Sequence, residues 1–311
     1  MTDTNPLQFC ERLRETLHRY LSTTIGVSDD HPHLARRIRS ELRAAELVKG
    51  PYLEALPDYE KGRSLAELHK AGVLHASWMA MQNSPIWKRR LHIHQETALL
   101  HAAKDDNYLV GTGTGSGKTE AFLYPMIDDI LRDPDRARPG VRSIIVYPLN
   151  ALANDQLYYR LAPLLLRELG DLGITFGRFT SAVGAAAERP EIEDQLRSND
   201  ALMETLGSPR AIPASWLLSR REMLETPPHI LITNYAMLEH LLLLPRNAPL
   251  FANARVQSLV LDELHTYAGA QAIEVAFLIR KLKNQLGIAQ GGLRCIGTSA
   301  SLAQDQRVNA G

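Results

Sequence analysis

Apolar residues recur along this chain in two rhythms. Near the N-terminus the rhythm is helical. Phe9, Leu13, Leu17 and Leu21 repeat at four-residue spacing and predict a first helix. A second is expected to begin at Asp30 or His31, with Pro32 in its first turn. Lys49-Gly-Pro51 breaks the pattern, and residues 53–63, with Pro57 and Gly62, read as an extended connector. Ser64-Leu-Ala-Glu67 has the form of a capping box and opens a short helix through Leu68 and Leu74. A further helix is expected from Thr97 to Ala103, behind Leu91-His-Ile-His-Gln95.

From residue 107 the rhythm changes to short apolar runs bounded by turn residues. These are Tyr108–Gly111, Ser143–Tyr147, Ile174–Phe179, His229–Thr233, Ser258–Leu261 and Arg294–Gly297. Mostly separated by helical patterns, they predict an α/β domain with a parallel sheet of six strands covered on both faces. Ligands of such sheets sit at the C-terminal strand ends, so the polar residues after each run are the ones to examine. Residues 182–227 interrupt the alternation and read as a mostly helical insertion. The expected division is a helical N-terminal region, 1–87, followed by an α/β domain, 88–311.

Composition narrows the class only a little. The apolar fraction of 45% supports a sizeable core, and 35 basic residues balance 35 acidic ones, so any nucleic-acid surface must be local. Arg36, Arg37, Arg39 and Arg43 alternate with Glu41 and Glu46, which suits a solvated helix face better than a nucleic-acid contact. Cys10 and Cys295 form no Cys-x-x-Cys pattern, which argues for a reducing compartment without disulfides or zinc. The polar start lacks a signal peptide, and Leu241–Leu244 is far too short to span a bilayer. The expectation is a cytoplasmic protein with no membrane partner.

The chemistry begins at Val110-Gly-Thr-Gly-Thr-Gly-Ser-Gly-Lys-Thr-Glu120, where a strand runs through a Gly-rich loop into an amphipathic helix. That is the layout of a phosphate-binding loop. Glycines let backbone N–H groups turn around a polyphosphate, and the helix N-terminus adds its positive end. Lys118 would reach the β- and γ-phosphates, and the Thr119 hydroxyl would bind Mg²⁺. Thr114, Gly115, Ser116, Gly117 and Glu120 complete the expected nucleotide contacts, although Thr112 stands where the first glycine is usually written.

Val260-Leu-Asp262-Glu263-Leu-His265 is the second anchor. Asp262 would emerge at a strand end and hold Mg²⁺ through its water shell, while Glu263 would polarise the attacking water. His265 would bridge this site to Thr298-Ser299-Ala-Ser301 at the next strand end. Pro148 and Asn150, then Arg178 and Thr180, then Asn234 follow the other strands and offer short polar contacts suited to a sugar–phosphate backbone. Taken singly, each is as well read as a strand-end turn. The amide of Gln95 suits an adenine edge but is weak evidence alone. His92 and His94 lack an acidic or cysteine partner for a metal and would not face each other on a helix.

Taken in order, these motifs resemble those of superfamily 2 helicases of the DEAD/DEAH-box type. The stretch from Leu261 to Val275 is similar to a narrower bacterial group, the MrfA/YprA-like repair helicases and the DrmA-type helicases of phage defence. The resemblance covers about residues 88–305. It implies a RecA-like domain in which Gln95 recognises adenine and Gly115, Gly117, Lys118 and Thr119 bind ATP·Mg²⁺. It further implies that Asp262 and Glu263 serve hydrolysis, Ser299 and Ser301 couple it to movement, and Pro148, Asn150, Arg178, Thr180 and Asn234 lie along single-stranded or partly duplex DNA.

Because the chain stops at Gly311, the second RecA-like domain is expected in cis or in trans, beside defence partner proteins. Without its arginine fingers, hydrolysis would drop by a factor on the order of 10³–10⁵. Two alternatives stay open. One is a nucleic-acid-binding subunit without turnover that recruits a nuclease or methylase. The other is a phosphate-loop hydrolase unrelated to nucleic acids.

Overall fold

A computed structural model describes residues 5–26, 30–50, 58–113, 115–181, 183–184, 187–209 and 211–300. The chain divides into two compact units, 1–58 and 59–311.

In the first unit, α1 spans Pro6–Thr24 and α2 spans Pro32–Ala44. The Asn5 side chain caps α1 by accepting from the Leu7 N–H at 3.0 Å, and proline opens both helices. The expected stripe forms a helix, yet Phe9 and Leu13 stay exposed and α2 buries none of its residues. A pair of short helices has too little surface to enclose a core.

The second unit begins with two elements absent from the periodicity. Strand β1, Lys61–Ser64, pairs antiparallel with β2, Arg90–His92. Gly62 makes this approach feasible, because a Cβ there would lie 2.1 Å from Glu96 Oε2. That carboxylate accepts from the Arg63 N–H at 2.5 Å and from Arg63 Nε at 2.7 Å. Between the strands lie α3, Leu65–Lys70, and α4, Pro85–Lys88. The capping box forms as expected: Ser64 Oγ accepts from the Glu67 N–H at 3.2 Å, and Glu67 Oε2 accepts from the Ser64 N–H at 2.7 Å. Leu65, Leu68, Trp78 and Trp87 are buried in the same apolar cluster as the main sheet. The expected boundary at 87/88 therefore falls inside this unit.

The remaining elements are α5 Ile93–Ala102, β3 Tyr108–Gly111, α6 Lys118–Arg132, β4 Ser143–Tyr147, α7 Asn150–Gln156 and β5 Phe176–Arg178. Then come α8 Arg189–Arg197, α9 Asp200–Thr205, β6 Trp216–Leu217, α10 Arg220–Glu225 and β7 Ile230–Asn234. The last are α11 Tyr235–Leu243, β8 Ser258–Leu261, α12 Ala270–Gln285 and β9 Arg294–Ser299. The seven strands β3 to β9 form one parallel sheet in the order β3-β9-β8-β4-β7-β5-β6. The expectation of six is corrected by β6, two residues inside the helical insertion that pair with the outer edge of β5. Trp216 justifies it, stacking on Phe176 with ring centroids 5.5 Å apart.

Alternation along the strands places Ile145, Ile230, Ile232, Val260 and Ile296 in one core and Ile144, Val146, Leu231, Leu259 and Leu261 in the other. Helix α6 packs on the first face and α11 and α12 on the second. Pro125 lies inside α6 and cannot donate to the Ala121 carbonyl, and Tyr108 Oη donates to that carbonyl instead, at 3.0 Å.

Arg142, fully buried just before β4, is the polar pin of this sheet. Its Nε donates to Asp133 Oδ2 at 2.5 Å, and its two Nη groups donate to the carbonyls of Gly140, Asp135 and Arg138. Burial would raise the Asp133 pKa, but the hydrogen bonds from Arg142 and the Asp135 N–H outweigh it and hold the carboxyl below its usual value. Arg142→Met should lower the unfolding free energy by about 3–5 kcal/mol, since it strands a buried carboxylate. Urea titration monitored by tryptophan fluorescence measures this, and a loss under about 1 kcal/mol would mean that water replaces the guanidinium without cost.

Candidate functional site

The chain runs from β3 over to β4 and later returns to place β9 and β8 in the gap, so the C-terminal ends of β3, β9 and β8 lie side by side in the sheet. The loop after β3 turns through Gly115 and Gly117, both left-handed at φ 76° and 78°. Gly117 is doubly required, because a Cβ there would lie 2.3 Å from Gln95 Nε2. Gln95 is buried and holds the loop: its Nε2 donates to the Gly117 carbonyl at 3.0 Å, and its Oε1 accepts from the His92 N–H at 2.9 Å. His94 Nε2 lies 3.0 Å from the Ser116 carbonyl, and Thr112 Oγ1 meets Ser116 Oγ at 2.7 Å. The threonine that replaces the usual glycine thus braces the loop from within.

Lys118 opens α6 and is buried, with Nζ donating to the Thr112 carbonyl at 3.1 Å. Thr119 Oγ1 donates to Gln156 Oε1 at 2.9 Å, at the end of α7. A cavity of about 400 Å³ is lined by Gln95, Gly115, Gly117, Lys118, Thr119 and Glu120 on one side and by Asp262 and Glu263 on the other. Arg160 reaches the same cavity and lies 3.7 Å from Glu120. Thr114 lies outside the described residues.

Asp262 follows β8 directly and is buried, and Thr298 Oγ1 donates to its Oδ1. Burial raises the Asp262 pKa, while the Thr298 hydrogen bond opposes the shift. Glu263 adopts a left-handed backbone at φ 50°, ψ 51°, a conformation that non-glycine residues seldom take. Its N–H donates to Thr298 Oγ1 at 3.1 Å, so one hydroxyl orients both acidic residues. Glu263 Oε1 lies 4.0 Å from Lys118 Nζ, while Oε2 is buried without a hydrogen-bond partner. His265 Nδ1 lies 3.4 Å from Glu263 Oε2 and 3.2 Å from Ser299 Oγ, which puts it between the acid and β9 as expected. Ser301 lies outside the described residues.

These features fit a magnesium nucleotide. The positive-φ glycines open the cradle, and Glu263 Oε2, buried and without a hydrogen bond among the described residues, has only His265 Nδ1 beside it at 3.4 Å. Thr119 and Asp262 would supply oxygen donors to a metal held mainly through substrate phosphates and water.

The backbone-facing row is only partly assembled. Asn234 Nδ2 donates to Asn150 Oδ1 at 2.8 Å, and Asn150 Nδ2 donates to Ser181 Oγ at 3.1 Å. Asn234 also caps α11, accepting from the Met237 N–H at 2.8 Å. Pro148 is half-buried beside them. Arg178 instead lies over the Tyr158 ring at 5.7 Å, with Nε and Nη1 buried and unpaired, and Thr180 is fully buried. Sequence reasoning gave no role to Thr298 alone, nor to Gln156 or Arg160. Thr298 and Gln156 were visible only as members of longer motifs, and Arg160 lay in none. The two histidines do meet, correcting the expectation: His92 is the N-cap of α5, outside the helix, and stacks on His94 at 5.5 Å.

Comparison with known proteins agrees with this geometry. Residues 92–208 match the DEAD/DEAH box helicase family. Druantia protein DruE of Escherichia coli is 30% identical over 372 aligned residues, 93% of this chain and 20% of that protein. The ATP-dependent helicase YprA of Bacillus subtilis is 28% identical over 221 residues, 70% of this chain and 24% of that protein. Among solved structures, the DUF1998 helicase MrfA bound to DNA and AMPPNP superposes with a TM-score of 0.55 at 26% identity, over 88% of this chain and 32% of that one. The chain therefore spans about a fifth to a quarter of the length of these curated relatives.

Proposed function

We propose that the chain is a RecA-like DEAD/DEAH-box helicase domain of superfamily 2, of the MrfA/YprA/DrmA type, and the ATP-binding first half of a DNA helicase or translocase. One observation carries this reading: a single cavity joins the phosphate loop to the acidic pair, with Lys118 Nζ 4.0 Å from Glu263 Oε1. A binding subunit that only recruits a nuclease would have no use for a carboxylate aimed at the phosphate-binding lysine. The MrfA structure, which holds DNA and AMPPNP, supports nucleic acid as the polymer partner. Among the described residues, no helix is long and apolar enough to cross a membrane.

In this reading Lys118 and the α6 N-terminus hold the β- and γ-phosphates. Bound Mg²⁺, held by Thr119 and by Asp262 through water, supplies neutralisation of phosphate charge. Glu263 orients the attacking water and takes its proton. A phosphate at the loop would draw Lys118 from the Thr112 carbonyl. Rearrangement of Glu263 would then reach β9 through His265 and Ser299. Asn150, Ser181 and Asn234 grip the strand, and a second RecA-like domain closes on ATP from the other side. Bacterial anti-phage defence or DNA repair is the setting that the similarity to DruE and MrfA supports.

ATP hydrolysis by the chain, with and without single-stranded DNA, tests the reading. ATP binding with little turnover under both conditions is the result expected of one motor domain. Strong DNA-stimulated turnover would show that the chain completes its own site. Turnover indifferent to nucleic acid in the protein that carries both motor domains would overturn the helicase reading.

A further inference from the structure

Past the C-terminal end of β5 lies a second cationic cleft, of about 410 Å³, separate from the nucleotide cavity. Its lining is mostly apolar, with Phe179 and Leu224 at its floor, and Arg220, Arg221, Arg246 and His240 are among its polar lining. Arg220 opens α10 and lies over the Phe179 ring, 5.1 Å from its centroid. Its Nη2 donates to the Thr180 carbonyl at 2.9 Å, and its Nε is buried with no acceptor. Arg246 is exposed on the 3₁₀ turn Pro245–Phe251, and among the described residues it has no hydrogen bond or ion pair. The one carboxylate on the cleft wall, Glu225, is taken by Arg221 at 2.9 Å.

Burial and then the charge of Arg246 push the Arg220 guanidinium below its usual pKa. Two like charges held together without a carboxylate cost free energy that a shared anion would recover. Guanidinium forks match phosphate geometry, and an apolar floor suits the attached sugar. The cleft also adjoins the asparagine cluster. Phe179 and Ser181 are two residues apart, so their Cα atoms are within about 7 Å, and Ser181 accepts from Asn150.

We propose that the Arg220–Arg246 cleft binds a backbone phosphate of single-stranded nucleic acid, extending the track beyond Asn150, Ser181 and Asn234. This rests on the reading of the chain as a strand-tracking motor domain. It replaces Arg178 as the main cationic contact on this edge, since the Arg178 guanidinium is turned onto Tyr158.

Binding of a fluorescein-labelled oligothymidylate to the 311-residue chain, followed over a salt series, tests the assignment. Arg246→Gln removes the phosphate ligand that makes no internal contact, so the fold should be intact and ATP affinity unchanged. Affinity for the oligonucleotide should fall about tenfold at low salt, and the slope of log K against log salt should flatten by about 0.7. Arg280→Gln, on α12 and outside the cleft, should leave that slope as it is. An unchanged slope in Arg246→Gln, with Asn150→Ala still weakening binding, would overturn the cleft and spare the motor reading. Equal flattening by Arg280→Gln would reduce the effect to net charge and also overturn it. Failure of the unchanged chain to bind the oligonucleotide, with and without ATP, would overturn the motor reading itself.

Discussion

Glu263→Gln should bind ATP as the unchanged protein does and hydrolyse it about 10²–10⁴-fold more slowly. The amide keeps the volume and the backbone of the side chain, including its unusual φ of 50°. It cannot take a proton from water. Its oxygen would still lie near Lys118, so the phosphate-binding lysine keeps its position. The loss corresponds to about 3–5 kcal/mol of transition-state stabilisation. Steady-state phosphate release by the protein that carries both motor domains, beside nucleotide affinity measured separately, distinguishes a chemical defect from a binding one. Turnover within about threefold of the unchanged protein would assign water activation to another group.

Lys118→Ala should weaken ATP binding by about 100-fold or more while leaving the fold intact. Lys118 is buried, but its bond to the Thr112 carbonyl is internal to the loop, and no carboxylate lies nearer than Glu263 at 4.0 Å among the described residues. Removing it therefore strands one carbonyl at the cavity wall and takes away the charge aimed at the phosphates. Titration with a fluorescent ATP analogue reads the affinity, and the thermal midpoint reads the fold. Unchanged affinity would place the phosphates elsewhere, with the basic residues Lys61, Arg90 and Arg160 of the same cavity as the next candidates.

The fold was legible wherever a segment's own pattern decided its fate. Apolar runs such as Ser143–Tyr147 and Ser258–Leu261 are buried on both faces, and their near-continuous hydrophobicity says so without reference to neighbours. Gly117-Lys118-Thr119 and Asp262-Glu263 were legible for a similar reason, because the spacing of a turn or a strand end is itself the chemistry. Strand β6 was not legible, since two residues carry no periodicity and only the stack of Trp216 on Phe176 makes them a strand. Nor was β1, whose pairing depends on Gly62 yielding space to Glu96, 34 residues onward.

Polar side chains divide in the same way. Local spacing determined that Gln95, Asn150 and Thr298 would stand near strand or helix ends, but such residues serve equally as caps, braces or ligand contacts. Tertiary structure alone decided that Gln95 grips Gly117, that Thr298 holds both Asp262 and Glu263, and that Arg178 turns inward. It also brought Arg220 to Arg246 without a carboxylate between them. The physical reason is that a hydrogen bond or charge contact depends on distance in space, while hydrophobic periodicity depends on distance along the chain.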